Sequence, residues 1–199
     1  MSHEIRPLHE PFERFRQVLA EAEATGMVDP NAMTVASVDA AGQPSARVVL
    51  LKSADEQGFV FFTNLESRKG TEILAHPQVS LSFFWREMGK QVIVLGTAGR
   101  VSDEEADAYF ATRPRTSQLG AWASQQSRPL PGGRGQLLAE VARVEARHLL
   151  HTVPRPPHWS GFRVVPHWIE FWVAGAFRLH DRTVYEREGD GWRLSQRYP

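Results

Sequence analysis

Cysteine is absent from this 199-residue chain. That excludes a disulfide framework, a thiolate zinc site and a thiol nucleophile. No apolar run approaches the ~20 residues that a membrane-spanning helix needs. The opening Met1-Ser2-His3-Glu4-Ile5-Arg6-Pro7 has no apolar segment of the kind a secretory leader carries. A soluble, cytoplasmic protein is the expectation. An excess of one charge is also missing, because Lys+Arg and Asp+Glu number 23 each. Bulk electrostatics therefore cannot hold the chain to nucleic acid or an anionic membrane, and any anion site must be local.

Several motifs are missing as well. No Gly-x-Gly-x-x-Gly and no Gly-x-x-x-x-Gly-Lys-Ser/Thr occurs, so the common phosphate-cradling loops are excluded. Gly-x-Ser-x-Gly is absent, which speaks against a serine hydrolase. The eight histidines show no metal-ligand pairing; His148 and His151 read as ordinary helix residues, and no metal is expected. Aromatics are plentiful: 11 Phe, 6 Trp and 3 Tyr supply large rigid groups for a core, a flat ligand or an interface. The length suits one domain spanning residues 1–199.

The pattern along the chain predicts a helix over 11–25, with Phe12, Phe15, Leu19 and Ala22 on one face. Strands are expected at 33–38, 46–52, 59–63, 79–85, 91–101 and 161–173, and a hairpin at 182–197. Ser67 can cap a helix reaching Ala75, and Ser102-Asp103-Glu104-Glu105 fits a capping box for a helix to Thr112. Residues 113–135, rich in proline and glycine, read as irregular, and Leu137, Val141, Val144 and His148 mark a further helix. Strands in consecutive runs predict a mainly β fold: an antiparallel, Greek-key-like barrel with peripheral helices.

Four basic segments could carry chemistry. Arg47 and Lys52 lie five apart, so on a regular strand they face opposite ways; either Lys52 lies past the strand end or a bulge re-aims one of them. Arg68-Lys69 opens a helix, where free N–H groups favour an anion; a solvated basic pair is the other reading. Tyr109, Arg113 and Ser117 are spaced by four, and a phenol, a guanidinium and a hydroxyl suit a phosphate ester, although Pro114 interrupts any helix there. In Arg178-Leu-His-Asp-Arg182 a strand would place Arg178, His180 and Arg182 on one face, where they repel unless an anion joins them. An exposed edge strand is the bland alternative.

With these segments laid out, the chain resembles the pyridoxine/pyridoxamine 5′-phosphate oxidase family, flavoenzymes that make pyridoxal 5′-phosphate. The resemblance runs from about Pro11 to the C-terminus. It rests on Arg47-Val-Val-Leu-Leu-Lys52, Phe61-Phe-Thr-Asn64, Ser67-Arg-Lys-Gly70, Gln91-Val-Ile-Val-Leu-Gly96, residues 109–127, Pro154-Arg-Pro-Pro157, Ile169-Glu-Phe-Trp172 and Arg178-Leu-His-Asp-Arg182. It implies an FMN-binding split barrel and a homodimer with FMN at the subunit interface. Arg47, Arg68, Lys69, Gln126 and Ser127 would hold the FMN phosphate region. Val48, Val49, Leu50, Lys52, Phe62 and Thr63 would lie along the flavin, and Gln91, Trp172 and Arg182 around its rings. Lys52, Tyr109, Arg113 and Ser117 would bind the substrate phosphate. Arg178 and His180 would sit over the pyridine ring as catalytic residues.

The implied reaction is hydride transfer from substrate C4′ to flavin, with dioxygen as final acceptor and hydrogen peroxide released. The sequence departs from the family in four places: the chain starts after the usual Arg-x-x-Tyr arm, Phe62 stands where Tyr is common, Gly89-Lys90 precedes Gln91 where Arg is usual, and the ending Arg197-Tyr-Pro199 is one residue short. A more open site with a weaker hold on substrate is the expectation. The rival readings are a split-barrel oxidase of the phenazine-biosynthesis type and a non-catalytic carrier of flavin or pyridoxal phosphate.

Overall fold

Period-two burial makes the strands. In the computed structural model, which describes residues 5–199, Ala32–Val38 (β2) buries Met33, Val35 and Ser37 and turns the residues between them outward. Met1–Glu4, part of the segment read for a leader, lie outside the described residues. Around β2 the chain lays down Ile5–Arg6 (β1), Pro44–Leu50 (β3), Ser53–Asp55 (β4), Gly58–Asn64 (β5), Gln78–Trp85 (β6), Lys90–Arg100 (β7), Trp159–Val173 (β8), Asp181–Glu188 (β9) and Gly191–Gln196 (β10). All pairings are antiparallel, in the order β1-β10-β9-β8-β7-β6-β2-β3, with β5 joining β8 and β4 joining β5.

The spine is β8, 15 residues long. One edge pairs with β7 over Phe162–Val173. The other edge pairs first with β5, over Trp159–Val164, and then with β9, over Trp168–Val173. That change of partner splits the barrel. A register shift between Leu95 and Gly96 lets the long β7–β8 ribbon bend. Only glycine fits there, since a Cβ on Gly96 would lie 2.5 Å from the Val165 carbonyl oxygen.

Helices close the ends. Glu10–Ala24 (α1) buries Phe12, Phe15 and Ala22 against the sheet, close to the expected span. Arg68–Ala75 (α2) is capped by Ser67, whose Oγ accepts from the Gly70 N–H. Asp103–Thr112 (α3) is capped by Ser102, which accepts from the Glu105 N–H. The expected capping box is only half made, because the Glu105 carboxylate is taken by Arg163 at 3.0 Å.

The irregular reading of 113–135 holds for 124–132 and fails on either side of it. Arg115–Ala123 (α4) and Gly133–Arg147 (α5) are helices, and α5 starts four residues before the predicted Leu137. Pro114 does not break α4; it sits at its N-cap, where a missing N–H costs nothing. Leu119 and Ala123 of α4 then pack with Val144 of α5, Phe110 and Trp159. The strands β1 and β4 were not foreseen; at two and three residues they are too short to show a period.

The main core gathers around Phe12, Phe15, Phe59, Phe61, Phe83, Trp85 and Trp192. Phe15 is fully buried, with the rings of Phe59, Phe83 and Trp85 at 5.0, 4.9 and 6.3 Å. Replacing it with alanine leaves a cavity that these rigid rings cannot fill. Phe15→Ala is expected to lower unfolding stability by ~3–5 kcal/mol in urea denaturation.

Candidate active site

Between the β3 and β5 strands and the α3–α4 helix pair lies an open cavity of about 690 Å³. It is lined by Val48, Val49 and Leu50 of β3, by Phe62 and Thr63 of β5, by Lys52, Lys69, Tyr109, Arg113 and Ser117, and by Gln126. Lys52 reaches it because β3 ends at Leu50, which settles the two ways in which Arg47 and Lys52 could diverge. Tyr109, Arg113 and Ser117 all face the cavity although no single helix carries them. α3 stops at Thr112, Arg113 is extended at its C-cap, and α4 restarts after Pro114.

None of the three cations of this cavity has a carboxylate partner among the described residues; Lys52 is exposed, whereas Lys69 and Arg113 are not. Lys69 is 8% exposed, and its Nζ donates to Thr63 Oγ1 at 3.1 Å, Ser67 Oγ at 3.4 Å and Gln126 Oε1 at 3.4 Å. It forms no ion pair among the described residues. Burial lowers its pKa, the nearby Arg47 charge lowers it further, and Glu72 acts the other way. Arg113 likewise has no ion pair among the described residues, and its Nη1 is buried without a hydrogen-bond partner. Burial lowers its pKa too, with the Tyr109 phenol opposing. Buried cations with only neutral neighbours are costly unless an anion completes them. A phosphate group suits both positions.

Arg47 and Arg68 do not line this cavity. They meet at its base around Glu72 of α2. The Glu72 carboxylate accepts from Ser37 Oγ at 2.5 Å, Ser45 Oγ at 2.6 Å, Arg68 Nε at 2.8 Å and Arg47 Nη2 at 3.2 Å. Ser37 and Ser45 are directly paired across β2 and β3, and Arg47 follows two residues along on the same face. Burial by itself would push the Glu72 pKa up, but hydrogen bonds from Ser37, Ser45, Arg68 and Arg47 bring it down to about 2. Ser127, beside Gln126, sits in the left-handed region at φ 73°.

A second group lies apart, on the β7–β8–β9 face. Gln91, Trp172 and Arg182 are successive cross-strand neighbours. Gln91 and Trp172 also border a small cavity of about 170 Å³ beside α1. Arg182 is gripped by both oxygens of the buried Glu170 at 2.8 Å and by the Tyr198 carbonyl at 3.0 Å.

The expected strand through 178–182 is not there. β9 begins at Asp181, and before it Phe177 and Arg178 both take left-handed conformations, at φ 55° and 63°. The alternation of Arg178, His180 and Arg182 on one strand face is therefore lost. His180 Nδ1 accepts from the Gly175 N–H at 3.1 Å, so the neutral ring carries its proton on Nε2. That ring lies 4.6 Å from Trp172. One chain thus holds two separate clusters, 48–52/62–69/109–126 and 91/172–182.

Sequence reasoning missed Asn64, Thr112, Pro114, Gly120, Ala121, Ser124 and Trp159, which also line the larger cavity. The aromatic Trp159, two residues before the Gly161 that opens the read strand, was the one with a chemical signal to notice.

Comparison with known proteins follows this geometry. Residues 19–148 match the family model described as pyridoxamine 5′-phosphate oxidase, and residues 159–199 match the pyridoxine 5′-phosphate oxidase C-terminal dimerisation region. The pyridoxine/pyridoxamine 5′-phosphate oxidase of Azorhizobium caulinodans is 57% identical over 192 residues, 96% of this chain and 90% of that one. The enzyme of the same name from Myxococcus xanthus strain DK1622 is 55% identical over 199 residues, 100% of this chain and 96% of its own. Among solved structures, PhzG from Burkholderia lata 383, in complex with tetrahydrophenazine-1-carboxylic acid, has a TM-score of 0.89 at 35% identity, covering 95% of this chain and 92% of that one. A pyridoxamine 5′-phosphate oxidase-related, FMN-binding protein from Nostoc punctiforme has a TM-score of 0.75 at 14% identity, covering 94% and 96%, and shares the fold. The mainly antiparallel split barrel expected from sequence is the fold found.

The Glu72 cluster makes a pH prediction. Its carboxyl titrates near 2 in the folded chain against 4.5 when unperturbed, so its contribution is complete above about pH 5 and is lost as pH falls toward 2. Glu72→Gln should cost of order 3 kcal/mol at pH 7. Urea midpoints of the two proteins should converge between pH 5 and 2, with the wild type the steeper.

Proposed function

We propose that this chain, which belongs to the pyridoxamine 5′-phosphate oxidase family, oxidises pyridoxamine 5′-phosphate and pyridoxine 5′-phosphate to pyridoxal 5′-phosphate at the expense of dioxygen. For the amine the balance is substrate, water and dioxygen giving aldehyde, ammonia and hydrogen peroxide. The observation that carries the reading is a pair of cations with no ion pair among the described residues, the buried Lys69 and the half-buried Arg113, in one cavity. The reaction joins two phosphate esters, one on FMN and one on the substrate, and the chain offers one such cation for each.

Lys69, with Thr63 and Gln126 around its Nζ, fits the FMN phosphate. Arg47 and Arg68 stand behind it, tied to Glu72, and Ser127 beside it. Val48, Val49 and Leu50 supply an apolar wall for the flavin. Bound flavin supplies the two-electron acceptor for a hydride and passes the electrons to dioxygen. Arg113 and Ser117, with Lys52 and Tyr109 beside them, would grip the substrate phosphate and so fix where C4′ lies.

Arg178, His180, Gln91, Trp172 and Arg182 belong to the second cluster. We infer a homodimer in which this cluster completes the site of the other copy, placing Arg178 and His180 over the pyridine ring and Arg182 near the charge that grows on the reduced flavin. The dimerisation-region match over residues 159–199, which contains Trp172, Arg178, His180 and Arg182 of that cluster, supports this arrangement. The carboxylic acid bound by the Burkholderia relative marks the rival substrate class; phosphate donors at 52, 113 and 117 favour a phosphorylated one.

The test is an oxygen-electrode assay with peroxide detection on the flavin-loaded protein. Both phosphorylated vitamers should consume dioxygen and release peroxide; flavin-bearing protein that does neither would overturn the reading. Arg113→Ala is expected to raise KM for pyridoxamine 5′-phosphate by about 10- to 100-fold while changing kcat little, since a contact remote from C4′ is lost. Lys69→Met should instead weaken FMN, by at least about tenfold in a fluorescence titration of the apoprotein.

A further inference from the structure

The guanidinium of Arg113 needs something to hold it, and no carboxylate does. Its Cζ lies 4.7 Å over the Trp159 ring and 5.5 Å over Phe110. Trp159 is one of a near-parallel set. Its plane is within 7° of Phe62 at 5.3 Å and within 11° of Tyr109 at 6.1 Å, while Phe62 and Tyr109 stack at 4.1 Å. The ammonium of Lys52 lies 5.9 Å over Tyr109. Both cations therefore rest on faces of one aromatic group.

We propose that Trp159 is a positioning residue for substrate-phosphate recognition, holding Arg113 by its ring face in place of an acidic partner. This rests on the reading of the cavity as a site for a phosphorylated substrate. A carboxylate would fix Arg113 equally well, but it would neutralise the charge and compete with a phosphate for the same N–H groups. A ring face attracts the cation without carrying net charge. It also engages the guanidinium plane and leaves the N–H edge open for a bidentate anion.

Trp159 is itself well anchored. It pairs with Asn64 across β5 and β8. Its carbonyl accepts from Arg155 Nη1 at 2.8 Å, and Arg155 is held in turn by Asp103 and Asp107 of α3. Phe110 packs edge-on against it at 5.0 Å. Gly161 completes the device, because a Cβ there would come within 2.8 Å of the Phe62 ring and push it out of the set.

The experiment compares kcat/KM for pyridoxamine 5′-phosphate with that for pyridoxamine, on flavin-loaded enzyme. Trp159→Leu should reduce the preference for the phosphorylated amine by about 10- to 30-fold, through KM rather than kcat. Trp159→Phe, which keeps a face, should recover most of it. Fluorinated tryptophans placed at position 159 alone weaken the face at nearly constant shape, so KM should rise with each fluorine while the melting temperature and FMN affinity hold; this series decides the matter even if the leucine variant fails to fold. A preference that survives Trp159→Leu, an equal loss on both amines, or a flat fluorine series overturns the inference alone. A wild-type enzyme that does not distinguish the two amines overturns the cavity assignment, and the inference with it.

Discussion

Uncompensated positive charge under low exposure is the constraint on which this molecule turns. A buried lysine or arginine without a counter-charge opposes folding. Lys69 and Arg113 persist because the surroundings supply neutral dipoles and ring faces in place of an acid. Fifteen residues of β8 and the two-residue break between α3 and α4 supply much of that surrounding. On the proposed reading, the stability given up in this way is recovered when a phosphate binds.

Glu72 shows the opposite arrangement a few residues away. It sits one helical turn beyond Arg68 and ties Arg47 and Arg68 into a closed network with two serines. Those two arginines have their charge largely answered by protein. Lys69 does not, even though Glu72 acts on it at a distance. Neighbours in sequence thus divide the work. One set of cations stiffens the base of the cavity, and the intervening lysine stays available. A zero net charge overall is compatible with this, because the acids are placed where they bind structure rather than ligand.

Much of this could be read from the chain. The eight longer strands and the caps of α2 and α3 follow from period-two runs and from serine placed before a helix. The residues of the larger cavity were assembled from the resemblance, and the fold does bring Lys52, Phe62, Thr63, Lys69, Tyr109, Arg113, Ser117 and Gln126 together. What stayed hidden has physical causes. α4 was masked because proline and glycine read as breakers, whereas Pro114 starts a helix whose stability comes from packing Leu119 and Ala123 on distant partners. The strand weighed for 178–182 does not extend back past Asp181, because Phe177 and Arg178 are left-handed, a conformation these types rarely adopt. Glu105 left its capping role because Arg163, far along the sequence, offers a charge.

The 175–180 turn and the aromatic set answer the same problem from two sides. A flat, phosphorylated substrate must be held at its tail and at its ring, and the two grips must not compete. The proposed tail grip is built on strands and helix ends, with Arg113 resting on Trp159. The ring grip is proposed to come from Arg178 and His180, on a short turn of strained backbone whose His180 is pinned by one backbone N–H and one indole. Strain of this kind persists only where the surroundings over-determine it, and it concentrates where a chain meets a ligand or a partner. On the proposed arrangement, the two grips lie in separate clusters of one chain, so each copy needs the other to complete a site, and the cross-strand row of Gln91, Trp172 and Arg182 is where the second copy would be met.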